Sequence, residues 1–410
     1  MTLAEVPLVL MLLGLSAYAV LGGADFGAAF WQLGARSGPR AEARREHAYR
    51  AMGPVWEANH VWLVFVLAIC WTAYPEAFAS IFSTLSVPLF IAALGIILRG
   101  TAYAVHAGTA REIERKAIDA VFSVSSILTP FALGAAIGGI ASGRVPVGNA
   151  EGDPVTSWVN PTSFAIGTIA VATGAYLAAV YLAGDAARAG LDDLAAAFRT
   201  RALAAGAVTG AVALAGLLVV SLDAETLRDG LFGWPAILAL VASAAAGLTT
   251  LELVRRARFE PARYLASAAV AAIVVGWALA QRPELLPGLT VEQAAAERST
   301  LIATIVGVAL GAAVLVPSLA LLFGLVLRGR FDRKPAETDA EAPRDTVAPH
   351  RRPSGGLAVL ALAIGLPLTL VAEGGPVQAV GVVALLAFVA FGSAALGFAA
   401  AAVAARDDDG

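Results

Sequence analysis

Residues 7–31, PLVLMLLGLSAYAVLGGADFGAAFW, run for 25 positions with a single charge, Asp25. A basic stretch follows at 32–51, QLGARSGPRAEARREHAYRA, and then a second apolar run at 52–74, MGPVWEANHVWLVFVLAICWTAY. About 20 apolar residues suffice for a helix to cross a bilayer. Two such runs on either side of a cationic loop therefore read as a membrane hairpin. The first run is expected to be a span and not a secretory signal. No cationic leader precedes it, and no small-residue cleavage pattern leads into a polar domain.

The same reading extends along the chain. Apolar runs between charge clusters predict seven further spans in the first 330 residues: 79–105, 119–141, 162–184, 202–222, 235–254, 264–281 and 299–327. Two more are predicted at 356–372 and 378–404. Composition agrees: 59% of the 410 residues are hydrophobic, 14% are charged, and the mean hydropathy is +0.76. Soluble chains carry about 25% charged residues. One Cys argues against a disulfide framework or a multi-thiolate metal site, and a net charge of −3 argues against nucleic acid as a partner. Pro54, Pro161 and Pro235 fall beside predicted first turns, where a missing N–H costs nothing. Pro88, Pro130, Pro317 and Pro367 fall inside predicted spans, where they are expected to kink helices. Trp31, Trp71, Tyr74 and Trp158 sit near predicted span ends or in an outer loop and read as interfacial anchors, as do Trp56 and Trp62.

Cations set the expected orientation. The loops at 32–51, 106–118, 185–201 and 255–263, segment 328–355 and Arg406 together hold 23 Lys and Arg residues, against four in the alternate loops. This places the basic loops and the C-terminus in the cytoplasm and the N-terminus outside. Segment 331–355 is charged and Pro-rich and reads as a cytoplasmic linker. It separates a nine-span body, 1–330, from a two-span appendix with an acidic tail, 356–410.

Ionisable residues inside spans are few. A charge at mid-membrane costs about 2.5–3.5 kcal/mol on insertion scales, so each one asks for a partner or a function. Asp25 lies in span 1, Glu57 and His60 in span 2 and Arg99 in span 3, all predicted in the cytoplasmic half of consecutive antiparallel helices. Glu57 and His60 are three apart and share a helix face. The four could form a proton relay or an ion site, or a salt bridge that only fixes packing; spacing does not separate these. Glu76 and Glu252 read as wetted helix ends. Of the four His residues (His47, His60, His106 and His350), His60 alone is well inside a span, which leaves little room for a bis-histidine haem.

Three segments carry a family resemblance. GGADFGAAFWQL (22–33), GPVWEANHVWLVFVLAICWTAYPEAFA (53–79) and LGIILRGTAYAV (94–105) resemble subunit II of cytochrome bd-type quinol oxidases, with the Glu, Asn and His after Trp56 resembling the cyanide-insensitive branch. ATGAYLAAVYLAGDAARAG (172–190) and LLPGLTVEQAAAERSTL (285–301) extend the likeness, in register, over residues 1–330. The resemblance implies an all-α polytopic membrane protein of two four-helix bundles plus a peripheral ninth helix, with the two C-terminal transmembrane helices here as an addition. It implies a partner, the haem-bearing subunit I, which carries haems b and d, oxidises quinol and reduces oxygen to water in the bacterial cytoplasmic (inner) membrane. No cofactor is assigned to this chain, and a structural quinone stays open, as does a small accessory subunit. Part of the cytoplasmic proton uptake path is implied here: the acid of the GADFG stretch is Asp25, the acid after PVW is Glu57, and the Arg of the RG element is Arg99. His60 would tune or join the two acids.

The chain departs from that pattern twice. Many relatives carry a further acid after the RG element, where this chain reads Tyr103-Ala104-Val105, and the family's chain normally stops soon after span 9. Residues 356–404 would cover a lipid-facing groove or replace an accessory subunit. Two readings compete with the oxidase: a secondary transporter with a charged site near the cytoplasm, and a purely structural membrane partner. Transporter sites lie near the midplane at broken helices, and no span pair shows matched breaks.

Overall fold

The computed structural model describes residues 2–33, 39–52, 56–106, 112–327 and 353–371, with scattered positions between 377 and 391. Apolar residues with few interior breakers make helices, and a helix satisfies its own backbone groups in lipid. The chain accordingly forms α1 (Glu5–Ala17), a π-turn (Tyr18–Gly22), α2 (Gly23–Leu33), α3 (Pro39–Met52), α4 (Trp56–Ala73), α5 (Pro75–Thr84), α6 (Ser86–His106) and α7 (Glu112–Ala141). It continues with α8 (Pro161–Arg188), α9 (Asp192–Asp223), α10 (Glu225–Leu231), α11 (Trp234–Arg255) and α12 (Phe259–Gln281). A two-stranded hairpin, β1 (Glu284–Leu286) with β2 (Leu289–Thr290), leads through α13 (Val291–Ala294) into α14 (Arg298–Leu327), and α15 (Pro353–Val371) follows.

Eight described helical stretches are long and apolar enough to cross a membrane: Glu5–Gln32, Ser86–Val105, Ile118–Ala141, Pro161–Arg188, Asp192–Asp223, Trp234–Arg255, Phe259–Gln281 and Arg298–Leu315. The expected second span appears as the shorter apolar helix Asn59–Ala73, and the tenth as Gly356–Leu366. Most of 378–404 lies outside the described residues, as does Pro54. The protein is thus an all-α polytopic membrane protein. By internal contacts the chain divides into two units, Met1–Ala104 with Lys116–Asp332, and Val105–Arg115 with Arg333–Gly410.

Four local expectations are corrected. The basic stretch 32–51 is not all loop, since α3 occupies most of it. The third span is not one helix. It breaks at Leu85 between α5 and α6, so Pro88 stands in the first turn of α6, where no backbone N–H partner is lost. Tyr74 is no interfacial anchor: it is fully buried and donates its hydroxyl to Ala4 O at 2.5 Å, whereas Trp71 is exposed. Trp31 likewise points inward, its Nε1 bonding Ala175 O at 2.8 Å. Pro161 and Pro235 begin helices, and Pro130 and Pro317 lie inside α7 and α14, as expected.

α8 lies at the centre of the first unit. Leu177, Ala178, Ala179, Val180, Leu182 and Ala183 are wholly buried. They pack with Ala24 and Ala28 of α2, Phe198 and Ala202 of α9, Val254 of α11 and Ala262 and Ala266 of α12. Its start is clamped. Asn160 accepts from Ser163 N at 2.9 Å, and Asp223 accepts from the Thr162 hydroxyl at 2.7 Å while pairing with Arg144 at 2.8 Å. On the adjoining loop, Asp153 accepts from the Thr156 and Val155 amides, which hold its carboxyl below the ordinary carboxylate range. Outward-facing leucines on α9, such as Leu214 and Leu218, are exposed, as suits a lipid-facing surface.

Glycines set the approach of α2 to α8. A Cβ on Gly27 would stand 1.9 Å from Gly174 O, and one on Gly174 would stand 2.8 Å from Gly23 O. Small residues at such crossings allow backbone contact in membrane helices. Gly27→Val is expected to force the two helices apart and cost about 1–3 kcal/mol or more, as overpacking does. The check is the yield of folded protein after detergent extraction, with Ala28→Gly as a size-reducing control that should assemble.

Candidate functional site

The first span carries one extra residue in its coil. The π-turn at Tyr18–Gly22 sits directly before α2, and such bulges re-aim the residues that follow by about 100°. Its displaced backbone finds a side-chain partner: Asn59 Nδ2 of α4 donates to Leu21 O at 3.2 Å. Three residues beyond the turn comes Asp25, fully buried.

Arg99 meets it from α6. Its Nη2 donates to Asp25 Oδ1 at 2.6 Å and to Asp25 O at 3.2 Å, and the guanidinium is 3% exposed as a residue. The charge is also sandwiched by rings, with Arg99 Cζ 4.6 Å from the Phe26 centroid and 4.9 Å from that of Phe122. A cation over aromatic faces gains about 0.5–2 kcal/mol, more when desolvated. Gly95, one turn before Arg99, lets α7 come close, since a Cβ there would stand 2.2 Å from Thr129 Oγ1. That approach brings Phe122 over Arg99.

His60 of α4 completes the cluster. Its ring stands edge-on to Tyr18 at 6.3 Å and to Phe26 at 6.2 Å, within electrostatic reach of Asp25. Glu57 lies one turn earlier on α4, but its side chain is outside the described residues. The structure therefore brings Asp25, Arg99 and His60 to one place. Two buried atoms of the pair, Asp25 Oδ2 and Arg99 Nη1, have no hydrogen-bond partner among the described residues.

Several members went unread in the sequence. Tyr18, Phe26 and Phe122 look like ordinary apolar residues of their spans. Asn59, 4% exposed, carried a signal, because a polar amide inside an apolar run needs a partner. So did the run Ser123, Ser125, Ser126 and Thr129, all buried on α7, where Ser125 and Ser126 donate back to Phe122 O at 3.0 and 2.6 Å. Glu76 is exposed, and Glu252 pairs with Arg255 and Arg256 at 2.6 and 2.5 Å, so both are helix-end residues. Among the described residues, no group of three or more His, Cys, Asp or Glu could hold a metal ion. The His60 ring is flanked by those of Tyr18 and Phe26, and His47 Nε2 is hydrogen-bonded with Leu182 O at 3.1 Å.

Residues 3–326 match the family model described as cytochrome bd terminal oxidase subunit II. The chain belongs to that family. Over 114 residues it is 30% identical to the cytochrome bd ubiquinol oxidase subunit 2 of Bacillus subtilis (strain 168), a stretch that is 28% of this chain and 33% of that relative. The fold is similar to a chain in the structure of the bd oxidase from Geobacillus thermodenitrificans, with a TM-score of 0.67 and 25% identity, covering 81% of this chain and 100% of that one. The matched region of this subunit II family member contains the whole Asp25, Arg99 and His60 cluster, whereas 356–410 lies beyond it.

Proposed function

We propose that this subunit II family member is the non-haem subunit of a bd-type terminal quinol oxidase. It stands beside a haem-bearing subunit I that oxidises quinol and reduces oxygen to water. Its own contribution is scaffolding and part of the proton supply, with Asp25 and Glu57 as carriers, His60 tuning or joining them and Arg99 as the countercharge. The distribution of basic loops supports a cytoplasmic position for this cluster in a bacterial inner membrane, the side from which protons are drawn in this reading. We assign residues 1–330 as the oxidase body, 331–355 as its linker and 356–410 as a separate two-helix appendix.

The observation that carries this reading is the buried Asp25–Arg99 pair beside the π-turn. A buried ion pair seldom stabilises a fold more than apolar residues of the same volume would. Its retention at a re-aimed helix position favours a charge with work to do. Oδ1 is held by Arg99, so Asp25 exchanges its proton at Oδ2. Binding of a proton there leaves the Arg99 contact intact and changes the net charge of the site by one.

Isolation through a tag on this chain, in mild detergent, should recover a second membrane subunit and a visible haem spectrum. A colourless preparation of this chain by itself that transports a solute would overturn the reading in favour of a transporter.

A further inference from the structure

Below the ion pair lies a small void. Asp25, Ala28, Ala29 and Gln32 of α2, Ala48 of α3, Arg99 and Tyr103 of α6 and Phe122 of α7 line it. The α2 residues fall at i, i+3, i+4 and i+7, one face of a helix, and Arg99 and Tyr103 are four apart on the facing helix. Its free volume is about 10 Å³, close to the space one water requires. A buried water also needs two to four polar partners, roughly three on average. The lining supplies them: the unpartnered Asp25 Oδ2 and Arg99 Nη1, the Gln32 amide and the Tyr103 hydroxyl. Alanines at 28, 29 and 48, each no more than 2% exposed, leave the room.

The void also has a direction. Gln32 is about 10 Å further along its helix than Asp25, and Tyr103 about 6 Å further than Arg99, at 1.5 Å per residue. Both lie toward the helix ends that meet the basic segments, and both are only partly buried. A buried carboxylate thus shares the lining of a water-sized space with two hydrogen-bonding residues, Gln32 and Tyr103.

We propose that this void is an ordered water site, and that Tyr103 and Gln32 are positioning residues that link the water to the cytoplasmic side. The water donates a proton to Asp25 Oδ2 and at the same moment accepts one from the hydrogen-bonded chain behind it. One proton moves inward, and no bond other than O–H bonds changes. The proposal rests on the proton-supply reading of Asp25, and the test separates the two.

The test uses the purified complex of both subunits with Tyr103→Phe and Gln32→Leu. Each variant keeps side-chain bulk and removes hydrogen bonding. Proton uptake in vesicles and oxygen consumption should each fall about fivefold, the worth of one hydrogen bond, while anaerobic haem reduction by quinol keeps its rate. A density map fine enough to resolve waters should show one water against Asp25 and Arg99. If Asp25→Asn slows proton uptake but Tyr103→Phe and Gln32→Leu do not, the water link is wrong and the reading of Asp25 stands. If Asp25→Asn leaves uptake unchanged, the reading of Asp25 itself falls. Should the variants not assemble, the map of the unaltered complex decides, and an empty void there overturns the proposal.

Discussion

Arg99→Leu is expected to abolish the assembled complex. Asp25 loses its ion-pair partner in that variant, because the guanidinium holds its Oδ1 and its Oδ2 has no hydrogen-bond partner among the described residues. Removing one member of a buried pair costs about 3–5 kcal/mol, a large fraction of the 5–15 kcal/mol that holds a typical fold together. Adding Asp25→Leu should restore much of the yield, since a neutral apolar pair of similar volume carries no desolvation penalty. The measurement is haem-containing complex recovered per gram of membrane for the two single variants and the double. Normal recovery of Arg99→Leu alone would show that the carboxylate is not held in the way the 2.6 Å contact describes.

Asp25→Asn should behave differently, and the asymmetry is informative. Arg99 keeps the Asp25 carbonyl and the faces of Phe26 and Phe122 when the carboxylate becomes an amide. The complex is therefore expected to assemble with reduced stability. Its turnover with oxygen should fall about a hundredfold or more, the lower range for loss of a positioned proton donor and acceptor. Haem reduction by quinol in the absence of oxygen should stay near the parent rate, because electron entry does not use this carboxyl. Glu57→Gln offers the companion measurement on the neighbouring helix. Full turnover in the Asp25→Asn and Glu57→Gln double variant, with normal proton uptake, would leave the cluster a purely structural one.

These two outcomes bear on different questions. Arg99→Leu asks whether the pair holds the helices in place, and Asp25→Asn asks whether the carboxyl carries protons. A helix-packing pair without a proton role would show the first effect and not the second. The Tyr103 and Gln32 variants then ask how a proton reaches a carboxyl that is itself 0% exposed.

Much was legible in the residues alone. The apolar runs, their alternation with Arg-rich segments, and the few ionisable side chains inside them identify a polytopic helical protein and single out Asp25, Glu57, His60 and Arg99. These are properties of short windows, because transfer of a segment into lipid depends on the sum of its own side chains. The GADFG and PVWE segments add the family, since each is a contiguous string of residues. The break at Leu85 was harder to read, because Pro88, the local signal, lies three residues beyond it in a run that stays apolar throughout.

What only the tertiary structure decided is which of these side chains meet. The π-turn at Tyr18–Gly22 rotates Asp25 relative to the start of its span, and nothing in the period of an apolar run records an inserted residue. The contact of α2 with α8 through Gly23, Gly27 and Gly174 and that of α6 with α7 through Gly95 fix helix rotation and separation. Together with the α7–α8 crossing at Gly134 and Gly167, those contacts bring Arg99 to Asp25, lay Phe122 over Arg99 and leave a water-sized gap lined by Gln32 and Tyr103. Insertion is a sum over one segment, whereas a salt bridge is set by the relative position of two, and that position depends on packing between residues far apart in the chain.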